Sequence, residues 1–145
     1  MTDIEKAKKM LKENPDYTII SVKNGETVFC SYEKGIRPMI KLIRNGKNLK
    51  GTSTADRITG RAAAFLSVKT GIKELYSEVI SKKAFEILKN YNIDFSYGIV
   101  SENILNNDKT DICPMEKATL DISDPDKAYE ALENTINILM NKKDV

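Results

Sequence analysis

The sequence predicts an α/β fold of three layers, α-β-α, on a mixed sheet of four to five strands that begins with an antiparallel hairpin. Three observations carry this. Asn24-Gly25 lies between two runs rich in β-branched and aromatic residues, the strongest short-range hairpin signal. Beyond it, segments with apolar residues at helical spacing alternate with short apolar runs, the order that covers a sheet with helices. With 145 residues, 41% of them hydrophobic, the chain can bury its own core as a single domain over 1–145.

Each element has a local cause. Thr2 with Glu5 forms a capping box, and Ile4, Ala7 and Leu11 recur at helical spacing, so a helix is expected over 2–14. Asn14-Pro15-Asp16 stops it. Tyr17 to Lys23 and Glu26 to Tyr32 are the hairpin strands. After Gly35, the pattern Ile36, Met39, Ile40, Ile43 predicts a helix with Pro38 in its first turn, closed by Asn45-Gly46. Gly51 to Asp56 reads as a small-residue lead into a second helix, Ala55 to about Thr70, ended by Gly71.

Ile72 to Ile80 reads as a strand, and Ser81 caps a helix carrying Ala84, Phe85 and Leu88. Ile93 to Val100 is a further strand, and Ser101 to Ile112 a polar loop. A short helix starts at Pro114. The last, over 124–141, carries Ala128, Ala131, Leu132, Thr135, Ile136 and Leu139 on one face, which covers the sheet or serves a homo-oligomer contact.

Composition narrows the function. The chain has no histidine, the commonest general acid–base and zinc ligand. A net charge of +2 with interspersed signs, no Trp and six Tyr with four Phe argue against a nucleic-acid surface. No run of eighteen apolar residues suggests a membrane span, and no apolar leader opens the chain. Two cysteines far apart make no disulfide framework, so a cytoplasmic setting is expected. No cofactor motif is present; Gly51 to Asp56 lacks the Gly-Lys-Ser/Thr ending of a P-loop.

Three stretches, Gly35 to Ile43 (GIRPMIKLI), Gly51 to Ala64 (GTSTADRITGRAAA) and Cys113-Pro-Met-Glu116, resemble an uncharacterised prokaryotic family, DUF1893, whose fold is similar to that of cytidine deaminase. The likeness runs from about Tyr17 to Asp121. It implies that the helix opening near Asp56 takes the place of the helix bearing the deaminase His-Ala-Glu motif. Zinc deaminases need a His or Cys with two further cysteines, and a Glu for proton transfer. Arg61-Ala62-Ala63 and Ser81-Lys82-Lys83 stand there instead, so the resemblance implies the scaffold without its metal or its reaction. The family pattern also implies a basic residue ahead of the CPME element, where this chain has Asn106, Asn107 and Asp108.

Candidate site residues follow. Proline at the first helical position puts Cys113 at the N-cap and Glu116 at the third helical position. A thiol there faces free N–H groups and the positive end of the helix dipole, which favours its thiolate. A buried cysteine beside a capping carboxylate accounts for the same residues. Cys30, in mid-strand, reads as core. The N–H groups of Gly51 to Asp56 could approach an anion at a helix start. Gly60 and Ala62 to Ala64 give a smooth face for close packing. Asp56 and Arg61 orient a polar ligand, or are a first-turn carboxylate and a solvated arginine. Lys82 and Lys83 read as solvent-facing.

Two function classes remain. One is a small-molecule, nucleotide-like binding or sensor protein using Gly51, Asp56, Gly60 and Arg61. The other is an enzyme or redox protein with Cys113 as reactive thiolate and Glu116 beside it. Binding is favoured, because an activated cysteine without a recognisable base is an incomplete catalytic set.

Overall fold

Thr2 accepts a hydrogen bond from the Glu5 N–H at 3.2 Å, and the Glu5 carboxylate accepts from the Thr2 N–H at 3.0 Å. This capping box starts α1 (Asp3–Glu13) in a computed structural model that describes residues 1–105 and 111–143. Strands β1 (Ile19–Lys23) and β2 (Glu26–Ser31) follow as an antiparallel hairpin. Its two turn residues, Asn24 and Gly25, take φ of 52° and 80°, the positive values a two-residue turn requires. Asp3 and Lys6 on α1 hold this turn: Asp3 accepts from both turn N–H groups at 2.9 Å, and Lys6 donates to the Gly25 carbonyl.

Helix α2 (Arg37–Arg44) carries Pro38 in its first turn, as expected. The chain then forms β3 (Ser53–Thr59), α3 (Arg61–Thr70), β4 (Glu74–Ser81), α4 (Lys82–Asn90) and β5 (Asp94–Ser101). The described elements end with the short α5 (Pro114–Ala118) and the long α6 (Pro125–Lys143). The five strands are ordered β2-β1-β3-β4-β5. β1 runs antiparallel to β2 and β3, while β3, β4 and β5 are parallel. The predicted open mixed sheet beginning with a hairpin is therefore present, with helices on both sides.

The two faces are unequal. Ala7 and Leu11 of α1 cover Ile20, Val22, Ala55 and Tyr76 on one face. On the other, α3 packs between α4 and α6, and Phe65 and Leu66 join Ile80, Leu88 and Leu132 in the larger core. Seven of the ten α3 residues are buried, including Ala62, Ala63 and Ala64. A helix enclosed on nearly all sides needs small residues where its neighbours approach, which accounts for the alanines.

Two expectations are corrected. Ala55 to Thr70 is not one helix: Ser53–Thr59 is the central strand, and the helix starts only at Arg61. The β-branched residues Thr54, Ile58 and Thr59 suit a strand, and the hydroxyls that looked loop-like satisfy one another. Thr54 Oγ1 lies 2.7 Å from Ser21 Oγ and 3.0 Å from Thr52 Oγ1, all buried. Cys30, expected in the core, is exposed. It lies on edge strand β2, while α1 packs mainly over β1 and β3.

Candidate functional site

The ends of β3 and β4 lead directly into α3 and α4, and this is where Gly60, Arg61, Lys83 and Glu116 gather. Helix α3 begins without a side-chain cap of its own. Its N-cap, Gly60, has extended backbone (φ −96°, ψ −171°) and nothing to offer the first free N–H groups. Glu116, on α5, supplies the acceptor. One carboxylate oxygen accepts from the Arg61 N–H at 2.6 Å, the other from the Ala62 N–H at 2.8 Å. A Cβ added at position 60 would lie 2.2 Å from Glu116 Oε1, so only glycine leaves room for the carboxylate.

Arg61 answers from the other side. Its Nε donates to the Thr119 carbonyl at 2.7 Å and its guanidinium also donates to the Ile122 carbonyl. Thr119 is the residue that closes α5, so the arginine satisfies the carbonyl end of the helix whose glutamate caps its own. The guanidinium also stacks over Phe65, 5.1 Å from the ring centre. The GRAAA and CPME elements are thus two halves of one lock.

Glu116 is buried, and burial pushes its carboxyl pKa up. The N–H groups of Ala62 and Arg61 and the charges of Arg61 and Lys83 oppose that rise. Lys82 and Lys83, read alike from the sequence, differ here. Lys82 pairs with Glu102 at the exposed surface, while half-buried Lys83 lies close enough for its charge to act on Glu116.

Cys113 occupies the N-cap of α5, with Pro114 first and Glu116 third in the helix, as expected. Its side chain makes no capping hydrogen bond. Its N–H donates to the Ile104 carbonyl at 2.9 Å, and its carbonyl accepts from the Glu116 and Lys117 N–H groups. Each oxygen of the neighbouring glutamate accepts one N–H of α3.

Asp56 lies within β3, opposite Ile19 on β1 and Ser77 on β4. It is only partly exposed, and burial pushes its carboxyl up to about 7. The N–H groups of Arg57 and Ile58 and the Thr59 hydroxyl, 3.5 Å away, oppose the shift. Gly51 is not part of this group. It turns the chain at the opposite end of β3, beside Lys23 and on the order of 25–30 Å from Gly60 at about 3.3 Å per residue. The anion cradle expected from Gly51 to Asp56 is absent because Thr54 and Ala55 pair with both flanking strands.

Arg57 was missed in sequence because its segment read as helix. Its guanidinium donates to the carbonyls of Leu11, Asn14 and Tyr17 at 2.7, 3.0 and 2.9 Å and pairs with Glu78. It ties the end of α1 to the sheet. The β-branched Thr52, Thr54, Ile58 and Thr59 were the signal that could have exposed this strand.

The donor set does not fit a zinc ion. The start of α3 presents N–H groups and a cation, and among the described residues no three His, Cys, Asp or Glu side chains gather for a metal. Asn106, Asn107 and Asp108 lie outside the described residues.

The model of a family described as a domain of unknown function, DUF1893, matches residues 6–136. A crystal structure of a DUF1893 family protein from Thermotoga maritima is 28% identical, with a TM-score of 0.77. The match covers 97% of this chain and 89% of that one. No curated protein matches the chain.

Proposed function

The chain belongs to the DUF1893 family, and we propose that it is a small-molecule-binding or sensor protein on a zinc-free, cytidine deaminase-like scaffold. Its ligand is nucleotide-like and anionic, and it sits at the C-terminal ends of β3 and β4. One observation carries this reading. The first N–H groups of α3 donate to a single carboxylate, Glu116, and the charges of Arg61 and of Lys83, in the first turn of α4, act on it. Each helix N-terminus is equivalent to roughly half a positive charge. One such end and the charges of Arg61 and Lys83 against one carboxylate leave a positive surplus. The C-terminal ends of parallel strands are also where open α/β sheets hold ligands. Asp56 adds a carboxyl that carries a proton near neutrality and can donate to, or accept from, a ligand hydroxyl or amine.

The test is thermal shift followed by calorimetry, comparing nucleoside phosphates with uncharged nucleosides. Stabilisation by the phosphates should survive Cys113→Ser and weaken in Lys83→Ala. A broad metabolite panel that produces no shift defeats the reading.

The N-cap position of Cys113 supports a second reading, an enzyme or redox protein using its thiolate. Alkylation across pH, with exposed Cys30 as internal comparison, separates the two. A Cys113 thiolate titrating well below the free-cysteine value of about 8.5 favours the second reading. Ordinary or suppressed reactivity leaves binding as the function.

A further inference from the structure

We infer that Asn24-Gly25 is a latent deamidation site held in check by Asp3, and that its conversion detaches the start of α1. An asparagine followed by glycine is the dipeptide most open to cyclisation, because glycine leaves its own nitrogen unhindered. The chain has two, Asn24-Gly25 and Asn45-Gly46, both exposed. The Gly25 nitrogen gives up its proton and attacks Asn24 Cγ. The N–Cγ bond forms, the Cγ–Nδ2 bond breaks, and ammonia leaves with that proton. Water then opens the cyclic imide at either carbonyl, producing aspartate or isoaspartate.

Asp3 opposes the first step at one site only. The Gly25 N–H donates to Asp3 Oδ1 at 2.9 Å, and the Asn24 N–H to Oδ2 at 2.9 Å. A carboxylate on that proton disfavours the amide anion that must form, and it directs the N–H away from the asparagine side chain. At the second site the Gly46 N–H donates to a neutral acceptor, the Ile43 carbonyl, at 2.9 Å. The two dipeptides are thus matched in sequence and exposure but differ in the charge on the attacking N–H.

Conversion undoes the contact that restrained it. The new carboxylate at position 24 faces that of Asp3, and like charges repel. Isoaspartate also inserts a methylene into the main chain of a two-residue turn, whose geometry tolerates no extra atom. The two Asp3 bonds joining α1 to the hairpin are lost, leaving Lys6 on the Gly25 carbonyl as the remaining tie at this end, while Arg57 still holds the far end of the helix. The first turn of α1, ahead of the buried Ala7, loosens.

The full chain incubated at mildly alkaline pH, with peptide mapping by mass spectrometry, tests this. In the native protein Asn45 should convert faster than Asn24. Asp3→Ala should accelerate Asn24 about tenfold, the rate equivalent of one lost charge-assisted hydrogen bond, and leave Asn45 unchanged. Asp3→Asn, which keeps an acceptor without the charge, should fall between. Equal native rates at the two sites, or acceleration of both in Asp3→Ala, overturns the protective role. Converted protein isolated by ion exchange should lose hydrogen-exchange protection in the first turn of α1 while β3 and β4 keep theirs. Unchanged protection there overturns the detachment.

Discussion

Glu116 and Arg61 cap each other's helices. The Glu116 carboxylate accepts from the Arg61 N–H at 2.6 Å, and the Arg61 side chain donates from Nε to the carbonyl of Thr119, which closes α5, at 2.7 Å. Each residue therefore satisfies backbone groups that the other's helix leaves open. The contact joins segments that are far apart in sequence and fixes the geometry of the candidate site.

Removing the carboxylate leaves two N–H groups at the start of α3 without an acceptor. Glu116→Ala should lower stability by about 2–4 kcal/mol, the range for buried donors that lose a charged partner. Glu116→Gln, which retains one acceptor, should lose less. Urea denaturation monitored by circular dichroism reads both, and equal losses for the two variants would contradict this role.

Gly60 and Glu116 should be energetically coupled. Gly60→Ala forces a Cβ into the space of Glu116 Oε1 and should cost about 1–3 kcal/mol by overpacking. In Glu116→Ala the same substitution no longer meets the carboxylate, and only Ile104 Cγ1, 2.8 Å from the added Cβ, has to give way. A double-mutant cycle should give a combined loss smaller than the sum of the single losses, whereas strict additivity would place the glycine's role elsewhere.

Arg57→Met should loosen α1 from the sheet. The variant abandons three main-chain carbonyls and Glu78, a loss of about 2–3 kcal/mol. Amide exchange in the second half of α1 should quicken before exchange in β3 or β4 does. Uniform quickening across the protein would mean that Arg57 serves global stability and not this contact.

Asp56 predicts a pH dependence of defined sign. Its pKa is raised from 3.8 to about 7, so the folded protein holds the proton more tightly than the unfolded chain. The contribution to stability is fully present below about pH 4 and is lost as pH rises through about 7. At 1.36 kcal/mol per pH unit the loss is at most about 4 kcal/mol. Asp56→Asn cannot ionise, so its stability relative to the native protein should improve between about pH 4 and pH 8. Urea titrations at both ends of that window read the gap, and a constant gap refutes the assignment. Glu116 is also raised and acts in the same direction.

By itself the sequence determined the features whose causes lie within a few residues. Thr2 and Glu5 mark the start of α1, Asn24-Gly25 sets the hairpin, Ser81 caps α4, and Pro114 places Cys113 and Glu116 on the first turn of α5. Capping and turn chemistry are local, so they can be read from neighbours alone. Only the tertiary structure decided that Ser53–Thr59 is the central strand, because strand pairing on both sides outweighs the small-residue composition that resembled a helix lead-in. It also decided that Cys30 is exposed, since edge position depends on strand order and not on the residue. Above all it decided the partner of Glu116, 55 residues away at the start of α3. No local pattern encodes that choice, because the acceptor is selected by which helix ends the packed core brings together.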